Sequence, residues 1–186
     1  MSRINAVNPA EATGRAKQLL DCVQEKLGLT PNMMRVMASS PAVLEAYLNF
    51  NGALAGGSLG PQVREQIALA VGEANLCAYC LSAHTAIGGR FGLKPDAIAQ
   101  ARKASASDVK ANAILKLARS IVVKRGEITD EEFQGARKAG LADGEIAEVV
   151  ANVAVNIFTN YFNNIVQTDI DFPLVEPGMP SADGKG

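Results

Sequence analysis

Residues 61–84 read PQVREQIALAVGEANLCAYCLSAH, and their apolar side chains recur at helical spacing. Pro61 suits the first turn of a helix, where its missing N–H has no partner to lose. Asn75 is a weak helix former that stands two residues before a cysteine. We therefore expect a helix over 62–74 that kinks or ends at Asn75, and a second helix that opens at Cys77.

The same spacing continues along most of the chain, whereas alternating runs of β-branched residues are hard to find. This pattern predicts an all-α fold, a helical bundle. Capping residues, prolines and glycines divide the pattern into separate helices, and the methionine-rich residues 32–37 are predicted to form a turn. The predicted helices cover about 11–27, 41–54, 62–74, 77–91, 95–103, 108–124, 130–139 and 143–166.

Length and composition restrict the class of protein. A chain of 186 residues, 48% of them hydrophobic, predicts a single domain over residues 1–186, with a Pro/Gly-rich tail over about 174–186 that is mobile or lies on a neighbour. Eighteen Lys and Arg against nineteen Asp and Glu give a net charge of −1, which argues against nucleic acid as a partner. Without a signal peptide or a membrane-spanning run, we expect a soluble, cytoplasmic protein with no membrane partner.

A Cys-x-x-Cys motif carries the chemistry of the sequence. Cys77 and Cys80 are followed one helical turn later by His84, the only histidine of the chain. At about 100° per residue the three side chains fall on one stripe of a helix and can share a pocket. A thiol at a helix N-terminus is favoured as a thiolate, and two cysteines at this spacing can close a disulfide.

Two carboxylates compete for the role of acid or base beside these thiols. Glu65 comes twelve residues before Cys77 and reaches the cysteines only if the helix breaks near Asn75. Glu73 lies on the same stripe as the cysteines if the helix is unbroken. Periodicity alone does not choose between Glu65 and Glu73.

Simpler interpretations of these residues remain open. Cysteines are common in cores, so the pair could be two packed thiols beside a packed histidine. A metal site is chemically possible, but the second cysteine pair or further histidines of a structural zinc site are missing. We therefore predict no metal and no cofactor. Cys22 is interpreted as a core cysteine, and Tyr161 and Phe162 with the surrounding asparagines as aromatic core packing rather than a substrate cleft.

A faint internal similarity suggests a duplicated helical unit. Residues 63–68, VREQIA, match residues 146–151, IAEVVA, at a constant offset. At that offset Cys77 and Cys80 correspond to Asn160 and Asn163. The fold could therefore contain a degenerate second copy that kept its packing and lost its thiols.

The combined motif resembles a known signature. Arg64-Glu65, eleven intervening residues, CAYC over 77–80, three residues and then His84 resemble the core motif of the alkylhydroperoxidase D-like branch of the carboxymuconolactone decarboxylase superfamily. The resemblance is strongest over residues 41–93. The later half, including DFP at residues 171–173, is similar to peroxidase-related members.

The resemblance implies an all-helical, cofactor-free enzyme that assembles into trimers or hexamers and reduces organic hydroperoxides, an antioxidant activity. Carried over to this chain, Cys80 is the peroxidatic thiol, Cys77 the resolving thiol, and Glu65 with His84 the proton relay. Well-studied members have a histidine where this chain has Tyr79, which is a poor base near neutral pH. Tyr79 and Glu73 remain possible relay residues. The disulfide would be reduced by an external dithiol, from a lipoylated or thioredoxin-like protein.

Other functions fit parts of the sequence. A non-catalytic, redox-responsive oligomer or a general thiol–disulfide oxidoreductase would also use the cysteine pair. Lactone chemistry is performed by other branches of the superfamily without that pair, so the presence of the pair argues against it.

Overall fold

The computed structural model describes residues 2–178, and within them the chain forms nine α-helices and no β-strand. The predicted all-α fold is therefore confirmed. The helices are α1 (Gly14–Leu27), α2 (Asn32–Met37), α3 (Pro41–Ala55), α4 (Pro61–Ala74), α5 (Ala78–Arg90), α6 (Pro95–Arg102), α7 (Val109–Val123), α8 (Asp130–Lys138) and α9 (Asp143–Val166). No helix in the described part of the chain is both long and apolar enough to cross a bilayer.

Helix α4 lies at the centre of the molecule and packs against α5, α6, α7 and α9. Every residue from Gln66 to Gly72 is buried, so α4 buries its whole circumference over two turns. A helix that is apolar all round is stable only inside a core. The surrounding helices α5, α6, α7 and α9 are therefore positioned by their packing against α4.

Two groups of buried side chains form the core. The larger one joins α4 to α6, α7, α8 and α9 through side chains such as Leu69 and Leu115. The smaller one joins α1, α2 and α3 to the first turns of α5 and contains Cys77, Tyr79 and Cys80. The cysteine pair therefore lies where the two groups meet.

Some helix ends differ from the sequence prediction. Helix α1 begins at Gly14 rather than near residue 11, because the carbonyl of Asn8 accepts hydrogen bonds from the N–H groups of Glu11 and Ala12 in a turn, and Gly14 has a φ of 58°. The predicted turn at 32–37 is instead helix α2, whose methionines are buried in the smaller core group.

Residues 174–178, the described part of the tail, are hydrogen-bonded to the helices. In the segment 174–178, predicted as part of a mobile tail, the N–H of Val175 donates to the Oγ of Ser82 at 2.9 Å. The carbonyl of Glu176 accepts from Arg102 at 2.7 Å. These bonds tie the segment to α5 and α6. The remainder of the predicted tail, residues 179–186, lies outside the described residues, as does Met1.

The two halves of the chain do not share one helix pattern, as a simple duplication would predict. Helices α4 and α5 are separated by a break at residues 75–77, whereas the corresponding stretch of the second half lies inside the continuous helix α9. The duplication therefore stays a prediction. The two asparagines that correspond to the cysteines nonetheless contact the first copy: Asn160 accepts from Asn75 at 2.9 Å, and Asn163 donates to Cys80 at 3.4 Å.

Candidate functional site

The break between α4 and α5 positions the site. Helix α4 ends at Ala74, Leu76 adopts a left-handed conformation with φ of 52°, and Cys77 is the N-cap of α5. The predicted helix end near Asn75 is thus confirmed. Because Leu76 reverses the chain, α5 runs back along α4.

Two glycines show which parts of α4 and α5 face each other. A Cβ atom placed on Gly72 would lie 3.7 Å from the Cβ of Cys80, and one on Gly88 would lie 3.7 Å from the Cβ of Glu65. The start of α5 therefore faces the end of α4, and the end of α5 faces the start of α4. This antiparallel arrangement places Glu65 beside the stretch of α5 between His84 and Gly88.

Glu65 and His84 form a direct contact between the two helices. The Nδ1 of His84 lies 2.7 Å from the Oε2 of Glu65, and the two side chains are only 22% and 14% exposed. Burial lowers the pKa of His84, but the carboxylate of Glu65 and the charge of Cys80 raise that pKa by more, so it lies above its ordinary value. The contact therefore favours the protonated imidazole.

The rival carboxylate, Glu73, is engaged elsewhere. Its Oε2 accepts from the Nε of Arg102 at 2.7 Å, and its Oε1 accepts from the N–H of Gly178 at 2.6 Å. Glu73 thus joins α4 to α6 and to the tail. Of the two carboxylates left open by periodicity, the one in contact with His84 is Glu65.

The thiol of Cys80 is surrounded by groups that stabilise negative charge. The Nδ2 of Asn163, on α9, donates to the Sγ of Cys80 at 3.4 Å, and both residues are buried. Burial raises the pKa of Cys80, but hydrogen bonds from Cys77, Asn163 and Asn160, together with the charge of His84, lower it to about 7. A large fraction of Cys80 is therefore a thiolate near neutral pH.

The thiol of Cys77 lies in a different environment. Its Sγ accepts from the backbone N–H of Cys80 at 3.3 Å, as an N-cap group does, yet the residue is fully buried. The helix N-terminus favours a thiolate at Cys77, whereas His84 and Asn163 favour one at Cys80. The hydrogen bond to Cys80 and burial raise the pKa of Cys77, so the negative charge belongs on Cys80.

Tyr79 has a structural contact rather than a contact with Glu65 or His84. Its hydroxyl oxygen accepts from the backbone N–H of Met33 at 3.1 Å, and its ring packs edge-on against Phe172. Burial raises the pKa of Tyr79 further above its ordinary value. Tyr79 therefore stays neutral and anchors α2 to α5.

A cavity of about 100 Å³ opens beside these groups. Cys80, His84 and Glu65 line it, whereas Cys77, Tyr79 and Glu73 do not. The other lining side chains come from several elements and are mostly apolar, with polar exceptions that include Tyr47, Arg64, Asn152 and Asn156. Within residues 2–178, no three His, Cys, Asp or Glu side chains are grouped as metal ligands.

Sequence reasoning missed the contribution of α9. Asn152, Asn156 and Asn163 lie at intervals of four and seven residues, so they share one face of that helix, and all three are buried. Asn160, at the same face, accepts from the Nδ2 of Asn75 at 2.9 Å. The helical spacing of these asparagines is a signal that the sequence carries, because amides on the packed face of a helix need polar partners.

Comparisons with known proteins agree with the fold. The family model of the carboxymuconolactone decarboxylase family matches residues 41–124. A comparison with curated proteins finds no match. Among solved structures, the chain is similar to an uncharacterized peroxidase-related protein from Ralstonia eutropha, described as an alkylhydroperoxidase AhpD core. The TM-score is 0.81 at 26% identity, over 91% of this chain and 92% of that one.

Two further structures share the fold at lower identity. A peroxidase-related protein from Silicibacter sp. gives a TM-score of 0.80 at 22% identity, over 90% of this chain and 91% of the other. The debrominase Bmp8, in complex with 2,3,4-tribromopyrrole, gives a TM-score of 0.78 at 18% identity, again over 90% of this chain and 91% of the other. The same helical fold therefore carries more than one activity.

Proposed function

Because residues 41–124 match the family model of the carboxymuconolactone decarboxylase family and the chain is similar to a peroxidase-related alkylhydroperoxidase AhpD core protein, we propose that it is a thiol peroxidase of the alkylhydroperoxidase D-like branch, acting on organic hydroperoxides. The observation that carries the proposal is the position of Cys80. Its buried thiol, with a pKa near 7, lines a cavity that the hydrogen-bonded pair of Glu65 and His84 also lines. A peroxidatic thiol needs this combination of thiolate and proton donor.

The first step oxidises Cys80. Its thiolate attacks the terminal oxygen of the hydroperoxide, the O–O bond breaks, and a sulfenic acid forms on Cys80. The leaving alkoxide takes a proton and departs as the alcohol. His84 is the donor of that proton, because Glu65 favours its protonated form.

The second step protects Cys80 from further oxidation. The thiol of Cys77 attacks the sulfenic sulfur, a Cys77–Cys80 disulfide forms, and water leaves. The Sγ of Cys77 already lies 3.3 Å from the backbone nitrogen of Cys80, which keeps the two residues at one helix start. An external dithiol, such as a lipoylated or thioredoxin-like protein, then returns two electrons and regenerates both thiols.

Thiol counting tests this function directly. The reduced protein is treated anaerobically with one equivalent of cumene hydroperoxide, as wild type and as the Cys80→Ser, Cys77→Ser and Cys22→Ser variants. We expect wild type and Cys22→Ser to lose two thiols and gain a Cys77–Cys80 link by mass spectrometry. Cys77→Ser should trap a sulfenic acid on Cys80, and Cys80→Ser should not react.

Survival of both thiols in the wild type would reject the peroxidase proposal. A parallel incubation with 2,3,4-tribromopyrrole distinguishes a thiol debrominase, the activity of one structural neighbour. Rapid formation of the disulfide without catalytic turnover, when an excess of dithiol is supplied, would favour the redox-responsive protein. Sedimentation of the same samples tests the trimeric or hexameric assembly that we propose.

A further inference from the structure

Arg64 gives the cavity a charge that the peroxidase chemistry does not use. It precedes Glu65 on α4 and lines the same cavity as Cys80. Among the described residues that line the cavity, it is the only lysine or arginine. The hydroperoxide group itself is neutral, so its reduction does not require a guanidinium at this position.

The guanidinium lacks a full set of partners. Its Nε is buried, and no acceptor within residues 2–178 reaches it. Glu65, the adjacent carboxylate, is engaged by His84 at 2.7 Å. Glu148 lies within range of the charge of Arg64, but its oxygens accept from the N–H groups of Ser58 and Leu59 at 2.9 and 3.0 Å.

A half-buried guanidinium that no carboxylate of the described chain pairs with is costly, because it has lost part of its hydration and gained no counterion in exchange. A carboxylate offers the best replacement, since its two oxygens match the fork of a guanidinium. We infer that the cavity takes substrates that carry a carboxylate, with Arg64 as the counterion of that group. This inference rests on the proposed function and names its substrate class: an organic hydroperoxide that is also an acid.

The size of the cavity limits that substrate. A cavity needs a volume of about 10–15 Å³ to hold one water molecule. The cavity of about 100 Å³ therefore has room for a small molecule. The arrangement favours a short-chain hydroperoxy acid, whose carboxylate lies at Arg64 and whose peroxide group reaches Cys80. Long lipid hydroperoxides do not fit within it.

The inference is tested by two alkylating reagents of similar size, one anionic and one neutral. Iodoacetate carries a carboxylate and iodoacetamide is neutral, and both react with the thiolate. The ratio of their rates at Cys80 is therefore independent of the thiolate fraction. Relative to the same ratio for glutathione, we expect the wild-type ratio to be raised about tenfold by the nearby positive charge, with the site of alkylation read by peptide mass spectrometry.

Variants at Arg64 locate the effect. Arg64→Gln should lose most of the preference for iodoacetate, and Arg64→Lys should keep most of it. Lys116→Gln is the matched control, because it removes an exposed cation that lies outside this cavity. In the wild type, the preference should also fall as ionic strength rises, since salt screens the attraction.

A ratio that Arg64→Gln leaves unchanged, or a wild-type ratio that matches glutathione at low salt, would overturn the inference. Alkylation involves no peroxide, so these results are independent of the peroxidase activity. A low iodoacetate preference together with turnover of cumene hydroperoxide would reject only the acid substrate. The expected preference without any hydroperoxide reduction would reject only the peroxidase. Comparison of a hydroperoxy acid with its methyl ester completes the series, and kcat/KM should favour the acid.

Discussion

The Nδ1 of His84 lies 2.7 Å from the Oε2 of Glu65, although nineteen residues and a helix break separate them. The contact orients the imidazole and leaves Nε2 as the ring nitrogen available to exchange a proton in the cavity. It also links the charge on α4 to the reactivity of a thiol on α5.

Replacing Glu65 by Gln should slow peroxide reduction by about 100-fold, because the imidazole loses the charge that keeps it protonated. The pKa of His84 should fall, so the decline of the rate at high pH should begin at a lower pH than in the wild type. Stopped-flow oxidation over a range of pH measures both effects. Glu65→Asp should recover part of the rate.

The matched control for Glu65→Gln is Glu73→Gln on the same helix. Glu73 is bound to Arg102 and to the tail, so its loss should lower the free energy of unfolding by about 2 kcal/mol without changing the rate per folded molecule. A large loss of rate with Glu73→Gln, and none with Glu65→Gln, would show that the relay carboxylate is Glu73 and not Glu65.

Replacing Asn163 by Leu should raise the pKa of Cys80. The amide donates to a buried thiolate, and a hydrogen bond to a charged group contributes about 1.5–3 kcal/mol, which corresponds to about one to two pKa units. The pH dependence of alkylation by iodoacetamide measures this shift. Asn164→Leu is the control, because the side chain of Asn164 is exposed and donates to the carbonyl of Asn75. Equal pKa values in the two variants would contradict the role of Asn163.

The two reactions of Cys80 should differ in their pH dependence. The pKa of Cys80 is lowered to about 7, and the thiolate is the nucleophile, so alkylation should rise as pH increases through about 7 and then stay level. Peroxide reduction also needs the protonated His84, so its rate should fall again above the raised pKa of that group. A peroxide profile that stays level at high pH would show that His84 is not the proton donor.

Replacing Tyr79 by Phe should affect stability rather than catalysis. The change leaves the buried N–H of Met33 without its acceptor, which costs about 1–3 kcal/mol. Chemical denaturation measures this loss, and peroxide reduction per folded molecule should remain within about twofold of wild type. Tyr161→Phe, at an exposed position, should change neither quantity. If Tyr79→Phe abolishes turnover in a stable protein, the hydroxyl belongs to the relay after all.

The helices could be predicted because their signals are local. Pro61, Asn75 and Thr129 each act within one turn, and the structure has a helix start or end at each of them. The predicted start of α1 near residue 11 is wrong because Gly14 adopts a left-handed conformation. A glycine can adopt that conformation but does not always do so, so the sequence alone does not indicate it.

The site was only partly predictable, since most of its contacts join distant segments. Cys80 and His84 share one helix, so their spacing identified them. The choice of Glu65 required the chain reversal at Leu76, and the role of Asn163 required the packing of α9 against α5. These contacts depend on the three-dimensional arrangement of helices, which periodicity along one chain does not specify.

The burial of Cys77 bears on how the enzyme would be recycled. Since Cys80 lines the cavity and Cys77 does not, the proposed dithiol would reach the sulfur of Cys80 and would have to expel the thiolate of Cys77. Burial raises the pKa of Cys77 even when Cys80 is held in a disulfide, which makes Cys77 a poorer leaving group. Oxidation would then be rapid and re-reduction slow, so that the first equivalent of peroxide is consumed in a burst and the supply of reductant governs every later turnover.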